Sequence, residues 1–181
     1  MPRIYVASLT DYNAGELHGK WIDAAQDADE IMTEVEQMLA DSPTAKEEGG
    51  VAEEWAIHDS DDFGGVDIGE WDSFERVSEI AHAISEWPSL IVAHYISEGY
   101  DPEEMSDKIR DLYCGEFKGR DVDAVADMIW DDLDAREDLP LDIQAHITAI
   151  SHSMARDDMA GGEYITIDAG DGTSYVLSSD R

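Results

Sequence analysis

The chain has 181 residues, 43% of them hydrophobic, with 44 Asp plus Glu against 11 Lys plus Arg, a formal net charge of −33. That hydrophobic content, with 5 Trp and 7 Tyr, excludes a disordered acidic chain, so the protein buries a core despite its own repulsion. The same charge excludes loose binding to nucleic acid or anionic membrane and favours partners with basic clefts.

In chain order, Arg3 to Leu9 alternates and is rich in β-branched and aromatic residues, which predicts a strand. Asp11 to Gly15 reads as a turn and Leu17 to Ile22 as a returning strand. Asp27 followed by Glu30 has the spacing of a capping box, and Ile31, Val35, Met38 and Leu39 follow at helical spacing. Asp41 to Gly50 reads as loop and Val51 to His58 as a third strand. Asp59 to Gly69 reads as an acidic, solvated linker. Phe74, Val77, Ile80, Ala81 and Ile84 form a helical stripe stopped before Pro88, Leu90 to Ser97 continues at helical spacing, and Asp101 to Tyr113 gives an acidic helix. Cys114 to Lys118 fits a short strand. Val122, Ala126, Ile129 and Leu133 define the buried face of the next helix, and another follows Pro140 through Ile143, Ile147 and Ile150. Tyr164 to Asp168 and Ser174 to Leu177 make a hairpin around Gly170-Asp171-Gly172. The fold class expected is α+β, in three small domains. Residues 1–60 form a sheet with a helix, 61–113 are helical, and 114–181 are again α+β with a small antiparallel sheet.

Charge is spread evenly over these parts. They carry 14 acids to 3 bases, 14 to 3 and 16 to 5, a net of −11 each, where an acidic tail would concentrate it. The single cysteine, Cys114, excludes an intrachain disulfide and suits a reducing compartment. Met1 to Val6 lacks a basic-then-apolar signal pattern and no apolar run approaches ~20 residues, so a cytoplasmic protein that does not enter the membrane is expected.

Signals for catalysis are poor. The chain has no CxxC, HExxH or GxSxG and no phosphate-binding glycine loop, and its histidines, at positions 18, 58, 82, 94, 146 and 152, form no i, i+4 ligand pair. No enzyme, cofactor or metal is expected. One stretch imitates a calcium loop: Asp59, Asp61, Gly64, Val66, Asp67 and Glu70 fall at loop positions 1, 3, 6, 8, 9 and 12. Phe63 stands at position 5, where an oxygen ligand is needed, and a calcium-binding module is kept as an alternative.

The acidic faces carry the argument instead. On the helix from Asp121 to Ala135, residues Asp123, Asp127, Asp131 and Asp134 fall within an arc of about 80° at 100° per residue. Like charges at i, i+4 cost a helix ~0.2 to 0.5 kcal/mol each, so a stripe of one sign needs a reason. Asp121, Asp132, Glu137 and Asp138 adjoin it, Asp107 and Asp111 continue it on the preceding helix, and Glu75 and Glu79 repeat it on the middle segment. One reason is mimicry of nucleic acid: a dimer would hold 88 carboxylates, the charge of about 44 base pairs. The other is adaptation to high salt, which only four lysines also fit, giving a halophilic or generic acidic structural protein; its 16 Ile and 5 Trp point to an ordinary core.

Specific residues favour the first. Ile4-Tyr5-Val6-Ala7-Ser8-Leu9, Tyr12-Asn13-Ala14-Gly15-Glu16-Leu17, Gly19-Lys20-Trp21-Ile22-Asp23 and Glu54-Trp55-Ala56-Ile57-His58-Asp59 resemble the ArdA family of antirestriction proteins. So do Tyr113-Cys114-Gly115-Glu116-Phe117 and Ala155-Arg156-Asp157 later in the chain. The resemblance implies an elongated, curved homodimer of three small domains per chain, meeting through the C-terminal domain. It implies a DNA mimic carried on mobile genetic elements, which occupies the DNA groove of type I restriction–modification enzymes and protects unmodified incoming DNA. Neither catalysis, nor a cofactor, nor direct binding of nucleic acid is implied. The family's antirestriction motif falls on residues 137–148, where Asp138, Pro140 and Ile143 match and Ile147 follows in the same helix. His146 and Thr148 stand where the family usually has an aromatic and then an acid, and Asp41 to Gly50 is longer than in short members.

Overall fold

A computed structural model describes residues 1–132 and 140–179, and the chain groups into two compact units, Met1–Ser106 and Asp107–Arg181. The first unit opens on β1 (Arg3–Ser8), whose Ile4 and Val6 are fully buried. Where a turn is expected, Leu9–Ala14 forms a short helix, α1. The Ser8 hydroxyl accepts the Asp11 N–H at its start and Gly15, at φ 84°, ends it. Turn-forming residues at a helix start and a glycine just past its end are also cap signals, which is why the two readings are confused. β2 (Gly19–Asp23) returns antiparallel to β1.

α2 (Ala28–Ala40) buries Ile31, Val35, Met38 and Leu39, the stripe read from the sequence. Asp27 does occupy its N-cap position, but its side chain makes no capping bond. The expected loop from Asp41 to Gly50 contains α3 (Pro43–Glu48), capped by Ser42, started by Pro43 and stopped by Gly49 at φ 72°. The Ser-Pro start and Gly stop are the signature of a helix too short to show periodicity.

β3 (Trp55–Asp61) pairs antiparallel with β1 on the side away from β2, so the sheet order is β2-β1-β3. A register shift opposite Tyr5 and Val6 carries the strand three residues beyond its expected end at His58. The stretch read as a solvated linker therefore begins as strand and then buries Phe63 and Val66. Three helices follow: α4 (Phe74–Glu86), capped by Ser73, α5 (Ser89–Ser97) and α6 (Pro102–Leu112), whose second half belongs to the second unit. α4 packs against α2, and Val77, Ile80 and Ala81 of the expected stripe are buried.

The second unit holds β4 (Tyr113–Lys118), α7 (Val122–Asp132), α8 (Leu141–Gly161), β5 (Tyr164–Asp168) and β6 (Thr173–Ser178). β5 and β6 form the expected hairpin, and β4 joins it on β6, giving the antiparallel order β4-β6-β5. Its core gathers Ala124, Val125, Ala126, Met128, Ala155 and Val176. The inward face of α7 is therefore turned from the expected stripe: Val122 and Ile129 pack only at the edge, and Leu133 lies outside the described residues. Small alanines let α7 approach α8 closely, and that contact fixes its rotation. The α+β class holds in both units: each has a three-stranded antiparallel sheet with helices packed on it.

Candidate acidic surface and uncovered helix face

The electrostatics begin with the cations. Arg3 meets Asp61 at 2.6 Å, Lys46 meets Asp41 at 2.9 Å, Arg76 meets Asp72 at 3.7 Å and Arg120 meets Asp168 at 3.0 Å. Lys20 pairs with Glu34, and Arg110 with Asp107. Every one of these partners lies within the cation's own unit. Hydrogen bonding to Lys46 lowers the Asp41 carboxyl, and hydrogen bonds from Lys20 and Gln26 do the same for Glu34. Exposed pairs add at most about 1 kcal/mol each to stability. Their larger effect is electrostatic: six of the described cations are matched by a carboxylate close by in their own unit, so positive charge is offset locally.

Glu75 is exposed on α4, and Glu79 is half-buried a turn later. Burial pushes the Glu79 carboxyl upward, and the nearby charges of Glu103, Asp101 and Glu75 push it further, which marks a cluster of one sign. Asp107 and Asp111 are exposed on α6. Around α7, Asp121 is exposed at φ 48° and its Oδ1 accepts the Thr166 hydroxyl at 3.1 Å. Asp123 is exposed with His152 Nε2 3.3 Å away. Asp127 is half-buried, and its Oδ2 accepts the Lys118 N–H at 3.0 Å, so it ties α7 to the end of β4 as well as carrying charge. Asp131 and Asp132 are exposed; Asp134, Glu137 and Asp138 lie outside the described residues.

α8 starts after Pro140 and contacts the unit's core through Ser151 and Ala155. At 100° per residue, Ile143, Ile147, Ile150 and Met154 fall within an arc of about 60°, turned about 90° away from those two. Ile143, Ile150 and Met154 are 43%, 55% and 47% exposed, and Ile147 is half-buried. His146 borders the stripe, exposed, with its Nδ1 2.6 Å from the Asp142 carbonyl oxygen. A 4-3-4 spacing of apolar residues, here three isoleucines and a methionine, is the pattern found along the seam of paired helices. The stripe read from the sequence is thus present, and it is not the face by which α8 joins its own unit.

The calcium-like stretch is otherwise occupied. Asp61 holds Arg3, Asp62 holds the N-terminal amine at 2.9 Å, and the Phe63 ring is buried. Among the described residues no group of three or more His, Cys, Asp or Glu side chains is placed to hold a metal. Among them, too, no helix is long and apolar enough to cross a membrane.

Two features escape sequence reading. One is Asp11, fully buried, whose Oδ1 accepts the Thr44 N–H at 2.9 Å and so joins α1 to α3. Burial pushes its carboxyl up, but hydrogen bonds from Ser8, Ser42 and Thr44 outweigh this and hold it well below the usual carboxylate range. A serine three residues before an aspartate is the only hint the sequence offers. The other is a cavity between Trp55 and Trp71, two residues that sit 16 positions apart on a strand and in a loop.

These features define an acidic α+β protein that offers partners a coat of carboxylates and an uncovered apolar helix face. The chain belongs to the ArdA antirestriction protein family, whose model matches residues 4–171 of the 181. It is an antirestriction protein by that membership, and restriction enzymes are the partners the family suggests. No curated protein matches the chain at a significant level.

Proposed function

We propose that this antirestriction protein acts as a DNA mimic in the cytoplasm, occupying the DNA-binding groove of type I restriction–modification enzymes. The observation that carries the reading is the exposure of Glu75 on α4, Asp111 on α6 and Asp123 and Asp132 on α7, carboxylates of one sign presented on three helices. A groove built for phosphates binds through Lys and Arg, and an array of carboxylates can displace the same counterions. The working form is a homodimer joined through α8, with each chain divided functionally at Ser60 and Tyr113. No catalytic residue, cofactor or metal takes part, and the protein does not itself bind nucleic acid.

The test is inhibition of a purified type I enzyme cutting an unmodified plasmid, at two salt concentrations. Stoichiometric inhibition that fades as salt rises is expected. Because the charge is distributed, Asp131→Asn alone should weaken inhibition by less than about threefold, under ~0.7 kcal/mol. Replacing Glu75, Asp111, Asp123 and Asp131 together by Lys should abolish it. Absence of inhibition across several type I enzymes, or loss of all activity in Asp131→Asn, would refute the reading.

A further inference from the structure

Within the first unit a cavity of about 360 Å³ is lined by Leu9, Glu53, Glu54, Trp55 and Trp71. Its walls are firmly placed. Trp55 opens β3 opposite Ser8, and its ring stacks on Phe74 with centroids 4.2 Å apart and planes 17° from parallel. The Glu54 carbonyl accepts the Leu9 N–H at 3.0 Å. Trp71 follows Glu70, whose carbonyl accepts the Ile57 N–H at 3.1 Å, and it sits in a turn closed by the Asp72 carboxylate on the Gly69 N–H at 2.8 Å. Despite this anchoring, Trp71 is 68% exposed. The exposed indole therefore stands on an anchored backbone at the mouth of a cavity that a second indole, Trp55, also lines.

The chemistry of the lining narrows the occupant. Two indoles supply faces for cation–π contact, and two exposed carboxylates supply charge, while among the described residues no Lys or Arg lines the cavity. A hydrophobic ligand would find the glutamates unpartnered, and an anion would be repelled. A guanidinium meets both needs at once, because it stacks flat on an indole while its edge bonds a carboxylate in two places. The volume falls within the usual range for small-ligand pockets, about 300 to 1,000 Å³.

We propose that this cavity receives an arginine side chain. The assignment deepens the DNA-mimic reading and rests on it for the source of the arginine, which belongs to the target's basic groove. There it gives one fixed anchor to a contact otherwise made by diffuse charge, and so sets the register in which the carboxylates meet the groove. A phosphate backbone has no equivalent, so the anchor favours this protein over DNA at the same surface.

The probe is N-acetyl-arginine amide, with its citrulline and lysine counterparts, titrated into the full-length protein carrying ¹⁵N-labelled tryptophan at about 0.15 M salt to screen diffuse attraction. The arginine amide should move the indole signals of Trp55 and Trp71 and leave Trp21, Trp87 and Trp130 in place. The citrulline compound has nearly the same shape without the charge and should move none; the lysine compound should bind more weakly. Trp71→Ala should weaken arginine binding about fivefold or more, and Glu53→Gln with Glu54→Gln should weaken it without disturbing the free protein's indole signals. Equal response to citrulline, or equal movement of all five indoles, would overturn the site. In the restriction assay Trp71→Ala should raise the inhibitor concentration needed about fivefold. Unchanged inhibition in a variant that no longer binds the amide would overturn the assignment to a target arginine. Amide binding by a protein that inhibits no type I enzyme would instead sink the mimicry reading and leave the cavity's ligand class standing.

Discussion

Ile150→Asp isolates the proposed dimer contact in one residue. Fully burying a side chain of this size is worth about 1.5 to 3 kcal/mol. Ile143, Ile150 and Met154 expose roughly half of theirs, 43%, 55% and 47%. Covering what remains exposed gives about 1 kcal/mol each, hence about 3 kcal/mol per protomer and about 6 kcal/mol across a two-fold interface. Association itself costs about 4 to 15 kcal/mol, so the stripe offsets only part of it and the rest of the proposed interface must supply the remainder, which makes each stripe residue costly to lose. Aspartate at position 150 removes the isoleucine's share on both sides and places two carboxylates in a dehydrating seam, at about 2 kcal/mol or more each. The dissociation constant should rise at least about 1,000-fold, and Ile150→Ala should raise it about 30-fold. Sedimentation equilibrium over a dilution series reads both. The far-UV circular dichroism of either variant should match the parent, because Ile150 does not contribute to its own unit's core. An Ile150→Asp protein that dimerises like the parent, or a parent that stays monomeric throughout, would refute the reasoning.

Two further substitutions test the fold of the first unit. Asp11→Ala strips the Thr44 N–H of its acceptor in a buried site and should lower unfolding stability by about 2 to 3 kcal/mol in urea melts. Since folding lowers the Asp11 carboxyl from its ordinary value of 3.8, its stabilisation is complete well above that pH and is lost as pH falls below it. The gap between parent and variant should therefore narrow in acid, and a gap that widens would be inconsistent. Gly64→Ala would set a methyl carbon 2.1 Å from Ser89 Cβ at a backbone φ of +62°. It should cost about 2 to 4 kcal/mol in the same melts, and a neutral result would contradict the geometry at that turn.

What the sequence makes legible follows from what a periodic pattern can encode. α2 and α4 present three to four turns of apolar spacing, and their buried faces are largely those expected, with Ser78 and Ala83 added on α4 and Ile84 only half-buried. α1 and α3 have six residues each, less than two turns, so only their caps distinguish them from loop. The end of β3 was hidden because a bulge changes register at one pair, and nothing in Asp59-Ser60-Asp61 reads as strand. Periodicity also names a helix's apolar stripe without saying what covers it. On α8 the isoleucines are legible as a stripe, but Ser151 and Ala155 make the contact with α7, since small residues permit the closer approach. Of the acidic residues on α7, exposure was legible only in part: Asp123, Asp131 and Asp132 are exposed, whereas Asp127 is drawn in by a backbone N–H nine residues earlier in the chain.

Salt should act on the two proposed contacts with opposite sign. Each protomer brings a net charge of −33, so closing the dimer sets two strongly repelling bodies together through an apolar seam. Added salt screens that repulsion, over a Debye length of about 10 Å at 0.1 M, and leaves burial of Ile143, Ile147, Ile150 and Met154 unweakened. Dimerisation should therefore tighten from low salt to moderate salt. Binding to a basic groove depends on attraction and counterion release, so inhibition should weaken over the same range. Measured on one preparation, a dimer that tightens while inhibition fades would separate an apolar self-contact from an electrostatic target contact. If both weaken together, the protomers are joined by complementary charges and the isoleucine stripe has some other occupant.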